Sequence, residues 1–192
     1  MRLLAVAVAA TLCASHLGAQ GYRPVRVRSC PYADSLLGPI RDDYRSEVQG
    51  LFYKERDSTY LLAGTEVGRP PRVNISIKLH GERPTRDPAA QLVVYLRDRD
   101  ARTISEATDS LVVAIVLDDS VSVQPAVAAR GTYEGPPRMM VVPVSALIRA
   151  DDLLSVTQAK RVVVKAGPVT VPLSSDERRS VRALLRVAIC PP

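Results

Sequence analysis

The sequence predicts an α+β protein: a mainly antiparallel β sheet or sandwich of about eight to nine strands, a short helix and a C-terminal amphipathic helix. Three observations carry this expectation. Residues 73–79 alternate strictly, with Val73, Ile75, Ile77 and Leu79 on one side and Asn74, Ser76 and Lys78 on the other, the period of a half-buried strand. Short Val-rich runs recur between turn-like stretches along most of the chain, as hairpin-connected strands require. The last stretch opens with Ser174 and Glu177 at capping-box spacing and continues with Val181, Leu184, Leu185, Ala188 and Ile189, an i, i+3, i+4, i+7, i+8 helical stripe.

Taken in order, residues 21–45 read as an extended arm and loops. EVQGLFYK (47–54) and TYLLAG (59–64) read as a hairpin closed by Arg56-Asp57-Ser58. The alternating strand at 73–79 precedes a loop, HGERPTRDPAA, and then the strand QLVVYL (91–96). Residues 97–109 are charged and irregular. LVVAIVL (111–117) is a continuous apolar run, which suits a central strand covered on both faces. Asp118-Asp119-Ser120 turns the chain into VSVQP, and ARGTYEGPP forms a loop. In the strand MMVVPVSALI (139–148), Pro143 lacks an N–H and predicts an edge position. Asp151 is placed to cap a short helix ending near Ala159. RVVVK (161–165) and VTVP (169–172) form a hairpin across Gly167-Pro168. Pro191 disfavours helical backbone at Cys190, so the last helix ends near Ile189.

Ahead of all this, MRLLAVAVAATLCASHLGA has the three-part plan of a secretory signal peptide, with Arg2, an apolar run from Leu3 to Leu12, and a small-residue cleavage site after Ala19. The run is too short to span a bilayer, which takes about 20 residues. Cys13 raises lipidation as an alternative, but Ala10 and Leu12 depart from the lipoprotein pattern at both ends, so a lipoprotein is not expected. The expected product is a single exported domain, 20–192, periplasmic or secreted. It retains two of the chain's three cysteines, Cys30 and Cys190. In an oxidising compartment these have one possible pairing, and a Cys30–Cys190 disulfide would close a loop of about 160 residues.

The chain is formally +6, or +5 without Arg2, and all but four of its 26 basic residues are arginine. Export argues against nucleic acid as the counterpart of this charge. An envelope protein or an anionic envelope component fits better, and acidic residues interspersed along the chain make a solvated surface the plainer reading. On the last helix Arg179, Arg182 and Arg186 fall at i, i+3, i+7 beside the apolar stripe. That ridge is the candidate contact for an anionic surface, together with exposed sheet edges; a solvated helix face is the simpler alternative.

Catalytic chemistry finds little footing. His80 is the one histidine beyond the leader, and no G-x-S-x-G motif accompanies it. The disulfide would remove both cysteines from metal binding, so no metal is expected. Phosphate-cradling glycine motifs and the EF-hand loop are missing, so no cofactor is expected. Asn74-Ile75-Ser76 is a formal glycosylation sequon inside a strand. The carboxylate pairs Asp42/Asp43, Asp98/Asp100, Asp118/Asp119 and Asp151/Asp152 each have a local turn, cap or ion-pair role to fill. No catalytic residue is therefore assigned.

DDLLSVTQAKRVVVKAGPVTVPLSSDERRSVRALL, within residues 144–192, resembles the C-terminal end of uncharacterised exported bacterial domains that also carry a strand–turn stretch like KERDSTYL near their start. The resemblance implies an exported α+β domain of unknown function and supplies no catalytic residues. The resulting expectation is a non-enzymatic exported binding module. The alternatives are a small hydrolase using a carboxylate pair, with or without His80, and a structural envelope protein.

Overall fold

The computed structural model describes residues 23–40, 48–55, 58–67, 73–80, 90–96, 112–118, 120–128, 142–167 and 169–191. Within them lie ten strands: β1 (Arg23–Pro24), β2 (Gln49–Glu55), β3 (Ser58–Val67), β4 (Val73–His80), β5 (Ala90–Leu96), β6 (Val112–Leu117), β7 (Ser120–Ala128), β8 (Val142–Ile148), β9 (Val162–Ala166) and β10 (Val169–Leu173). Three helices accompany them: α1 (Pro31–Leu37), α2 (Ala150–Gln158) and α3 (Ser175–Ile189). The α+β expectation holds, with one or two strands more than expected.

Every pairing is antiparallel, in the order β1-β2-β3-β4-β5-β8-β7-β6-β9-β10. β7 divides this order into two sheets. Its Ser120–Pro125 part pairs with β6, and its last three residues pair with Val144, Ser145 and Ala146 of β8. A strand that changes neighbours along its length is how antiparallel sheets turn a corner.

Alternation sets the core. Val73, Ile75, Ile77 and Leu79 of β4 are all buried, as their period predicts. On the same face lie Val113 and Ile115 of β6, Val144, Ala146 and Ile148 of β8, and Val162, Val164 and Ala166 of β9. Helix α3 packs against β3, β4 and β10. In a flat sheet β4 and β10 would stand about 29 Å apart, at about 4.8 Å per strand. With the corner at β7, the two sheets to which β4 and β10 belong both face α3, a helix of 15 residues. From Val181 onward, apart from the half-buried Arg182, each residue of α3 is buried. The stripe 181, 184, 185, 188, 189 is thus extended by Ala183, Arg186 and Val187, because α1 and α2 cover the side of α3 that the sheet does not.

The capping box is present: the Glu177 N–H donates to Ser174 Oγ (3.3 Å) and the Ser174 N–H to Glu177 Oε2 (2.6 Å). The helix ends at Ile189, where Cys190 leaves helical geometry before Pro191.

Four expectations need correction. The 21–45 stretch, read as arm and loops, contains α1, which Pro31 opens and Gly38 (φ 78) ends; proline at the first helical position and glycine after the last are a legible helix signature. β6 is central but its second face is only partly covered, with Ala114 and Val116 half-buried and Val112 46% exposed. β8 is also central rather than an edge. Among the described pairs Pro143 stands opposite Tyr95 of β5. Asp151 does not cap α2; Arg149 occupies that position without a side-chain cap bond, and Asp151 lies in the first turn, where its charge still suits the helix dipole.

Candidate functional site

Residues brought together from the two ends of the chain form the most connected polar cluster described. The end of α3 and the start of α1 meet where Cys30 and Cys190 are joined in a disulfide, with Cα atoms 6.2 Å apart, an ordinary span for a bridge. Its closing loop is 160 residues long. One helical turn before Cys190, Arg186 lies buried with only 3% exposure. Its guanidinium donates to Asp34 Oδ1 and to the Gly38 carbonyl oxygen. The Ser29 hydroxyl donates to the other Asp34 oxygen. Arg186 thereby satisfies a carbonyl at the C-terminal end of α1, where helix carbonyls have no partners of their own.

This hydrogen-bonding holds the Asp34 carboxyl below its ordinary range, the Ser29 hydroxyl contributing most and the Arg186 guanidinium next. A depressed folded-state value means that the stabilisation is complete above the unfolded carboxylate value of about 3.9 and is lost as pH falls through the folded one. Asp34→Asn is therefore expected to lower the urea midpoint at neutral pH and to converge with the wild type as pH falls below the folded-state value. Urea titrations from neutral to strongly acid pH check this; a gap that stays constant throughout would remove Asp34 from the acid response.

Two other arginines of α3 are used in the same way, while Arg179 pairs within the helix. Arg182 Nη2 donates to the Thr157 carbonyl oxygen at the end of α2 (2.9 Å), Arg178 Nη1 donates to the Leu173 carbonyl oxygen at the end of β10 (2.9 Å), and Arg179 pairs with Asp176. The expected ridge of Arg179, Arg182 and Arg186 is thus not one solvent-facing surface. Arg186 is buried and Arg182 half-buried, because α1 and α2 dock on that side of α3 and present carbonyl ends to it. Helical periodicity shows which residues share a face, but not that two other helices cover it.

Carboxylates follow suit. Asp152 is buried and accepts from Ser122 Oγ of β7 (2.8 Å) and from Arg149 Nε (3.1 Å), which fastens α2 to the sheet and raises the Arg149 pKa. Asp118 turns β6 into β7 at φ 52, in the left-handed region that aspartate tolerates. Its carboxylate accepts from the Arg161 N–H (2.9 Å), while its own N–H donates to the Arg161 carbonyl (2.9 Å). Asp42, Asp43, Asp98, Asp100 and Asp119 lie outside the described residues. His80 ends β4 opposite Tyr60; its side chain is outside the described set. No cluster of three metal-ligating side chains occurs among the described residues, and no described helix is long and apolar enough to cross a membrane.

The sheet edges, the other expected contact surface, are blunted at both ends. The Val25 N–H donates to the Val48 carbonyl (2.8 Å), so alternation turns Pro24 toward the free side of β1. β10, at the opposite edge, carries Pro172. Proline on an edge withholds a donor that another chain would need for pairing.

The sheet face opposite the core is covered in part, since Val93 of β5 is buried there, but it carries three exposed aliphatic side chains. Val112 of β6, Val121 of β7 and Leu147 of β8 are 46%, 60% and 67% exposed. All three stand opposite the core. Val113 beside Val112 is buried, as are Ala146 and Ile148 on either side of Leu147. Val121 is paired with Val116, which alternation places on the same face of β6 as Val112. No family model, curated protein or solved structure matches this chain.

Proposed function

We propose that the chain is an exported, disulfide-stapled binding module that takes a protein partner on the sheet face opposite its core. The single observation that carries this reading is the grouping of Val112, Val121 and Leu147 on neighbouring strands. Val112 and Val121 lie four residues apart along the β6–β7 pair, about 13 Å, so these are separate exposed aliphatic side chains opposite the core that one partner contact would cover together. Two further features support it. The described carboxylates Asp34, Asp118 and Asp152 each hold one element of the fold to another, and the Cys30–Cys190 bridge suits an oxidising compartment. The signal-peptide plan of residues 1–19 supplies the route there.

A photo-crosslinking residue placed at position 121 or 147 in the exporting cell is expected to capture the same envelope protein from both sites. Val121→Asp or Leu147→Asp, introduced at the position not carrying the probe, is expected to reduce that adduct at least tenfold without lowering Tm, because burying an unpaired carboxylate in an apolar contact is strongly unfavourable. Adducts of equal yield and identity from a probe at Thr170, on β10, would remove this face as the binding surface.

A further inference from the structure

We propose that the extended arm ahead of Cys30 is an electrostatic contact for anionic phospholipid, a surface separate from the sheet face above. The inference starts from how the arginines are used. Arg149, Arg161, Arg178, Arg179, Arg182 and Arg186 each donate to an acceptor elsewhere in the chain. Arg23, Arg26 and Arg28 are exposed, and among the described residues none of the three has a side-chain hydrogen bond or ion pair. They are the remaining described arginines, and they fall within six consecutive residues.

This arm is held in place. β1 pairs with β2, Val25 is buried and bonded to Val48, Val27 is half-buried, and Cys30 is bridged to Cys190. The valines take the inward positions and leave Arg26 and Arg28 outward. Fully extended backbone would spread the three charges over at most about 17 Å. A partner therefore meets Arg26 and Arg28 on one side of an anchored backbone, with Arg23 at its start, and little backbone entropy is left to lose. Guanidinium matches the oxygens of a phosphodiester bidentately. Four residues beyond Arg28, Tyr32 is 48% exposed at the start of α1. An exposed phenol next to a basic segment fits a headgroup layer, where one end of the ring is apolar and the other wet. A soluble polyanion would use the charges but has less use for the ring.

The test uses the chain from Gln20, which keeps every described residue, and vesicles of phosphatidylcholine with or without roughly one-third phosphatidylglycerol at low salt. Co-sedimentation is expected with the anionic vesicles only, and is expected to vanish in about 1 M salt, where the Debye length is about 3 Å. Replacing Arg23, Arg26 and Arg28 together by Gln is expected to weaken it on the order of a hundredfold, and Arg26→Gln alone about fivefold. Lys160→Gln with Lys165→Gln, which removes exposed charge elsewhere, is expected to change it by less than the single arm variant. If the triple variant does not fold, the single variant decides. The proposal falls if the wild type ignores anionic vesicles, if the lysine control weakens binding as much as the arm variants, or if soluble dextran sulfate is bound while the vesicles are not.

Discussion

Replacing both Cys30 and Cys190 by Ala is expected to cost about 3–5 kcal/mol of stability. The bridge closes a 160-residue loop, so it restricts nearly the whole unfolded chain; on the chain-entropy account this is worth about 5 kcal/mol. The native side adds little to the estimate, since Cys190 is buried and small, and Ala fills most of its volume. For a domain of this size the loss corresponds to roughly 10–15 °C in Tm. Urea unfolding of oxidised wild type, reduced wild type and the double variant measures it directly. The reduced wild type and the variant are expected to coincide, well below the oxidised protein. Coincidence of all three would show that the bridge contributes nothing.

Arg186→Met is the second large effect, with an expected loss of about 2–4 kcal/mol. Met retains much of the stem volume but leaves Asp34 Oδ1 and the Gly38 carbonyl without their donor. The arginine is almost wholly buried, so water does not simply replace it. A surface arginine of the kind expected from the ridge would cost well under 1 kcal/mol, and the size of the loss thus separates the two accounts. The placement of the change is also informative. Arg186 and the disulfide both fasten α1 to α3, one through Asp34 and Gly38 and the other through Cys30. With the bridge reduced, Arg186→Met is expected to release α1 as a local unit. Hydrogen exchange at the Gly38 amide, which donates to the Asp34 carbonyl (3.0 Å), should then accelerate at least tenfold more than exchange in β4. Uniform acceleration across α1 and β4 would mean that the arginine acts only on global stability.

These two positions also show where reading from residues alone reaches its limit. Cys30 and Cys190 can be paired from the sequence once the expected leader, with Cys13, is set aside, because two cysteines leave one choice. Arg186 cannot be assigned its role that way. Its helical face is visible in the i, i+3, i+7 spacing, yet the same spacing describes a solvated ridge and a buried clamp equally well. The difference is made by Asp34 and Gly38, about 150 positions away, on a helix whose surroundings read as arm and loop. Pro31 and Gly38 are the available signal for that helix, and at seven residues it is too short for apolar periodicity to reinforce them.

Local chemistry was the legible part. The alternation of β4, the hairpin of β9 and β10, the capping box of α3 and its stop before Pro191 each depend on residues within a few positions of one another. Backbone period, cap bonds and proline geometry act at that range. The corner that turns two sheets toward α3, the partly covered second face of β6, the central place of β8 despite Pro143, and the conversion of two ridge arginines into fasteners were decided by the tertiary structure. Each depends on which distant element comes to lie against a given face, and burial of that face is a property of both partners, whereas periodicity describes only one.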